Sequence, residues 1–144
     1  MNNFNEVQEM LYNDNDQEVK DFIIALDDAE ELYVYALHYN WDDGFDIPKL
    51  ILNNSKCDLS TALLLFYNAE GVIFWHEDYF FDEEHRDFVT QLHDDIVNGR
   101  YIMGDIQYEI PLNRVEKYKL NKLLSENEKI FLNDIAGKNL DIHL

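Results

Sequence analysis

The strongest constraint on this chain is a three-and-four-residue spacing of apolar side chains that recurs along most of its length. Its clearest instance is Leu59, Ala62, Leu63, Phe66 and Tyr67, which fall on one face of a helix. Asp58 precedes that run as an N-cap, and Gly71 stands beyond it, where a left-handed residue is expected to end the helix. The same spacing predicts a short first helix through Phe4, Val7 and Leu11. It predicts a second, capped by Asp16, through Val19, Phe22, Ile23 and Leu26. A third, capped at Asp27-Asp28, would bury Leu32, Tyr35, Ala36 and Tyr39.

Asp46, Ile47 and Pro48 open a short helix to about Asn53, because proline in a first turn gives up an N–H that would have no partner there. Asp82, Glu83 and Glu84 begin a long helix with the stripe His85, Phe88, Val89, Leu92 and Ile96, and Gly99 ends it. Two closing helices are expected at 114–124 and 126–136, the second opened by a Ser125–Glu128 capping box and closed by Gly137. Residues 72–81 carry no clean period and read as a packed connection or a short strand. Ile106, Tyr108 and Ile110 alternate with Asp105, Gln107 and Glu109, the period of a strand.

The expected fold is therefore mainly α: a compact bundle of stacked helical hairpins in one domain over 1–144, with one short strand or hairpin near 101–110. Leu37–Gly44 resembles Leu65–Gly71 with one residue deleted, and either duplication or shared cap chemistry explains the match.

Length and charge narrow the function. A chain of 144 residues, 47% apolar and 14% aromatic, supplies one hydrophobic core. Its longest apolar run, Ala62 to Tyr67, is far shorter than a membrane span. Residues 1–6 lack the basic and apolar segments of a secretory signal, and the lone Cys57 has no partner for an internal disulfide, so the cytoplasm is the expected location. Eleven basic against thirty acidic residues give a net charge of −19, which repels nucleic acid and anionic lipid. The acids are uneven: residues 1–60 hold 14 with 3 basic residues, 61–100 hold 9 with 2, and 101–144 hold 7 with 6. High charge serves solubility, and equally serves capture of a basic partner.

No catalytic residue, metal site or cofactor is expected. His85 and His93 are eight residues apart, about 12 Å along a helix, whereas zinc ligands on one helix usually sit three or four apart. His76, Glu77 and Asp78 complete no recognised ligand pattern, though binding of metal by His76, His85 or His93 is left open. Cys57, beside Lys56 and Asp58, has no histidine base marked out near it and reads as a structural thiol. Asp42, Asp43 and Asp46 lack the twelve-residue frame of a calcium loop. There is no glycine-rich phosphate loop, and no carboxylate pair is singled out as a hydrolase site.

The two tryptophans are more informative. Trp41 is followed by Asp42, Asp43 and Asp46, and Trp75 by Glu77, Asp78 and Asp82. Aromatic anchors ringed by charge suit a protein interface, and these eight residues are the candidate partner-binding set. The alternative is that both indoles are core residues near helix ends.

The stretch Tyr39–Gly71, with its Tyr-Asn-Trp-Asp-Asp-Gly-Phe turn, Ile-Pro helix opening, Cys57-Asp58-Leu59 and the Ala62–Tyr67 run, resembles a bacterial family known as domain of unknown function 4274. The resemblance reaches to about Phe81. It implies a small helical domain and carries over no catalytic residue. In size and acidity such domains resemble immunity proteins. The expectation is thus an intracellular acidic protein that binds a basic partner such as a toxin domain. A hydrolase or metal-dependent enzyme with a site assembled only in the fold, and a helical scaffold, are the alternatives. The oligomeric state is not read from the sequence.

Overall fold

A computed structural model describes residues 4–76 and 80–144. The protein is mainly helical. Among the described residues seven α-helices follow in order: α1 (Asn5–Leu11), α2 (Asp16–Ala25), α3 (Ala29–His38), α4 (Asp46–Asn53), α5 (Leu59–Asn68), α6 (Glu83–Val97) and α7 (Arg114–Leu123). Short 3-10 helices span Trp41–Asp43, Gly71–Trp75 and Glu126–Leu132. Among the described residues no helix is long and apolar enough to cross a membrane.

The first five helices pack mainly on their next-but-one neighbours, α1 on α3, α3 on α5 and α2 on α4, so successive hairpins stack in two layers. α5 lies at the centre, and its residues Leu59–Phe66 are all buried, as a helix apolar on every side must be. α6 covers α5 with the expected stripe: His85, Phe88, Val89, Leu92 and Ile96 all face inward.

Caps follow the expected chemistry with two local changes. Asp28, Asp58 and Asp82 accept from helix-start N–H groups as anticipated. The α2 cap is Asn15, whose Oδ1 accepts from Glu18 N at 3.0 Å, while Asp16 sits one place later in the first turn. After α5 the left-handed residue is Glu70 (φ 62°), not Gly71. Gly71 begins the next 3-10 helix, and a Cβ there would lie 2.5 Å from both the Phe66 ring and the Phe66 carbonyl oxygen, so close approach is what requires glycine.

The alternation at 105–110 holds, with Ile106, Tyr108 and Ile110 buried. It produces two isolated β-bridges, however, and no strand. Ile106 pairs parallel with Lys138, and Tyr108 pairs antiparallel with Ile135. Reversal of direction between them prevents a ladder, and Ile110 N donates instead to the Asp134 side chain at 2.8 Å. These pairings also shorten the last helix. It ends at Leu132 because Asp134 to Lys138 are committed to the extended segment. Gly137 packs against that segment too closely for a Cβ, which would fall 2.2 Å from Asp105 O. Ser60 Oγ donates to Ile106 O at 2.6 Å, and the His38 ring meets Ile142 O at 2.8 Å, so the C-terminal segment is sewn onto α3 and α5.

Candidate functional site

The turn after α3 is built by side chains that hold a tight reversal. Asn40 Oδ1 accepts from Asp42 N at 3.0 Å, the Tyr39 hydroxyl donates to Gly44 O at 2.7 Å, and Gly44 takes the positive φ of 92° that the reversal needs. Asp42 and Asp43 are left exposed at its tip. Trp41 turns inward, edge-on to Tyr39 at 5.4 Å, Phe88 at 6.1 Å and Phe45 at 6.2 Å. Its Nε1 is buried and has no hydrogen-bond partner among the described residues.

α6 meets this turn through aromatic contacts. Phe45 lies 4.7 Å from Phe88 and 6.1 Å from His85, between ring centroids. His85 is fixed by its own bonds: Nε2 lies 2.7 Å from Ala69 O, and Nδ1 accepts from Phe81 N at 3.4 Å, the pattern of the Nε2-protonated tautomer. Phe81 stacks on the outer side of this ring at 4.7 Å and is 71% exposed.

Two acidic segments distant in sequence are therefore brought side by side. Asp42, Asp43 and Asp46 come from the turn and the start of α4; Asp82, Glu83, Glu84 and Asp87 come from the start of α6. All seven are exposed. Of the cations beside these acids, Lys20 is partly committed, its Nζ 2.9 Å from Asp16 and 3.8 Å from Asp46, while Arg86 stands exposed between Glu84 and Asp87. The buried tyrosines register the carboxylates of the first segment. Burial first, then Asp43, pushes the Tyr35 phenol up to about 12. Burial, reinforced by Asp43, Tyr35, Asp46 and Asp16, raises that of Tyr39 further.

Trp75 lies elsewhere and is differently employed. Its Nε1 donates to Glu128 Oε2 at 2.9 Å, and its ring packs against Phe66, Phe131 and His93 at 5.3–5.9 Å. His93 is sandwiched between Phe74, at 3.8 Å, and Phe131, at 5.4 Å, with its two nitrogens 2.8 Å from Asp94 and 2.6 Å from Glu128. Glu128 also accepts from Ser125 N in the capping box. Burial opposes its charge, but the bonds from Ser125, His93 and Trp75 outweigh that and hold its carboxyl down at about 2.

Of the expected partner-binding residues, the fold brings together Trp41, Asp42, Asp43, Asp46 and Asp82, and places Trp75 in a separate core network. Glu77 and Asp78 lie outside the described residues. Phe45, Phe81, Glu83, Glu84 and Asp87 are not among the partner-binding residues expected from the sequence. The signal available for Phe81 was an aromatic doublet, Phe80-Phe81, immediately before a helix cap, a place where a side chain has left one element and not entered the next.

Other chemistry is scarce. Cys57 is buried, and burial, with Asp58 nearby, pushes its thiol far up, away from the reactive thiolate. Among the described residues no three His, Cys, Asp or Glu side chains converge on a point suited to a metal ion. A groove of about 360 Å³ between α4 and α6 adjoins the acidic face at Asp87, and in it Arg100 is occupied by Asp95 and Asn53, both at 2.7 Å.

Residues 27–97 match the family model described as Domain of unknown function (DUF4274). No curated protein and no solved structure matches the chain.

Proposed function

Since residues 27–97 belong to the domain of unknown function 4274 family, whose description assigns no activity, we propose from the surface itself that this protein captures a basic protein partner on the face around Trp41 and Phe81. Its specific form would be an immunity-type protein that masks a cationic toxin domain in the bacterial cytoplasm. The observation that carries the reading is the gathering of seven exposed carboxylates from two separate segments around aromatic side chains. Solubility alone asks only for charge and is indifferent to where it lies. Capture asks for a concentrated field, which speeds encounter, and for apolar area, which slows escape.

Phe81 supplies the exposed apolar anchor, with Trp41 and Phe45 half-buried behind it. The carboxylates stand in for the anionic substrate that a cationic toxin site would otherwise hold. Trp75 is left out of this face, because its N–H already donates to Glu128 within the protein.

Mixing the protein with the product of the adjacent gene at about 50 mM salt tests the proposal, since screening there is weak. A complex that loosens steadily as salt is added is the expected result. No complex at low salt sinks it.

A further inference from the structure

The charge pattern reverses in α7. Arg114, Lys117, Lys119 and Lys122 face a single acid, Glu116, in a chain with eleven basic and thirty acidic residues. Only Leu120 of its ten residues is buried, and it packs chiefly on the 3-10 helix Glu126–Leu132. A helix this short gains little from propensity alone and normally draws its stability from a covered face. Yet Val115, Tyr118 and Leu123 are all more than half exposed.

At about 100° per residue, Tyr118, Lys122, Val115, Lys119 and Leu123 follow one another around a single side of α7. The Lys122 ammonium lies 4.4 Å over the Tyr118 ring. Beside this side runs a groove of about 240 Å³ lined by Val72, Leu112, Lys119, Leu120 and Leu123 among others. It is an apolar surface whose rim carries Lys119 and Lys122 against one acid, Glu116.

We propose that this face of α7 docks on a second copy of the chain, head to tail, at the acidic surface around Phe81. Charge complementarity selects that occupant. The lysines of α7 meet Asp42, Asp43, Glu84 and Asp87 of the other copy, and the exposed Phe81 ring enters the groove beside Leu123. The two surfaces differ, so the contact is heterologous and each copy offers one of each. α7 is about 15 Å long, and its face is well short of the roughly 800 Å² per partner of a stable interface. The association is therefore weak, and a more basic partner displaces it. In its acidic half this rests on the binding surface proposed above: self-docking keeps that surface covered until such a partner arrives.

Salt separates the two. Copies carrying −19 each repel at long range, so self-association strengthens as salt rises to about 0.15 M, where charges are screened beyond about 8 Å. Capture of a cationic partner only weakens over the same range.

The test is sedimentation equilibrium at about 0.15 M salt on the wild type, on K119E/K122E and on E83K/E84K/D87K, with V115S as an uncharged second variant of α7. All these positions are exposed, and circular dichroism checks that each variant folds. The expected result is reversible association of the wild type, loss of about tenfold or more in each charge variant alone, and recovery when the two are mixed in equal amounts. V115S is expected to weaken association as well. A wild type that stays monomeric, a mixture that fails to recover, or association that survives K119E/K122E overturns the proposal. So does sedimentation of the monomer with anionic phospholipid vesicles through α7. Partner capture is measured separately on K119E/K122E, which retains the acidic face. Capture without self-association discards only this inference, and self-association without capture discards only the function proposed above.

Discussion

The two tryptophans carry the same local signature and do different work. Both follow a helix end, both begin or close a 3-10 turn, and both precede acids in sequence. Trp75 is a structural member of a network in which Phe66, Phe74, Phe131 and His93 pack against its ring and Glu128 accepts from its N–H. Trp41 makes ring contacts of the same edge-on kind but leaves a buried donor with nothing to bond to among the described residues. Sequence proximity to carboxylates does not distinguish these roles. What distinguishes them is whether the chain itself supplies a carboxylate for the indole, and it does so for Trp75 from a residue 53 positions away.

The largest effect is expected where the Trp75 side is most buried. Phe131 is fully buried between Phe66, Trp75 and His93. Phe131→Ala should cost about 3–5 kcal/mol in denaturant unfolding. Glu128→Gln comes next. It removes the charge that three donors share, and a loss of about 1–3 kcal/mol at neutral pH is expected.

The same carboxylate sets a pH dependence. Its folded pKa, about 2, is below the ordinary 4.5, so its contribution is full above pH 4.5 and disappears as pH falls toward 2. Urea midpoints over that window should fall less steeply for Glu128→Gln than for the wild type. Parallel slopes would mean the carboxylate is not held as described.

A smaller effect compares the indoles directly. Trp75→Phe strands Glu128 without one donor and should cost about 1 kcal/mol. Trp41→Phe removes a donor that has no partner, and its stability should stay within about 0.5 kcal/mol of wild type or rise. Equal losses for the two substitutions would erase the contrast. Smallest of all, Asp42→Asn with Asp43→Asn should leave thermal stability within about 0.5 kcal/mol, since both side chains are exposed.

How legible this was depended on range. Helix faces and caps are local, so the stripe of α6 and the caps at Asp28, Asp58 and Asp82 follow from neighbours three or four residues apart. The alternation of Ile106, Tyr108 and Ile110 marked which side is buried. It did not mark a strand, because a ladder depends on a partner segment, and here Gly137 and Asp134 break the pairing. Gly71 looked like a helix end by type, whereas its requirement comes from the Phe66 carbonyl one turn back. The site was half visible. Trp41 and its acids could be picked out in the chain, but their union with Glu83, Glu84 and Asp87 is made by Phe45 and Phe88 across the fold. Likewise, only the fold shows that Trp75 is occupied.

The central claim is that position, and not net charge, makes the acidic face bind. The direct measurement is the affinity for the adjacent gene's product of three proteins: the wild type, a face variant with Asp42, Asp43 and Asp87 changed to Asn and Glu84 to Gln, and a control with Asp14 and Asp141 changed to Asn and Glu109 and Glu126 to Gln. All eight positions are exposed, and both variants lose four charges. A loss of about tenfold or more is expected in the face variant and almost none in the control. Equal weakening of the two, or no measurable complex with the wild type, would contradict it.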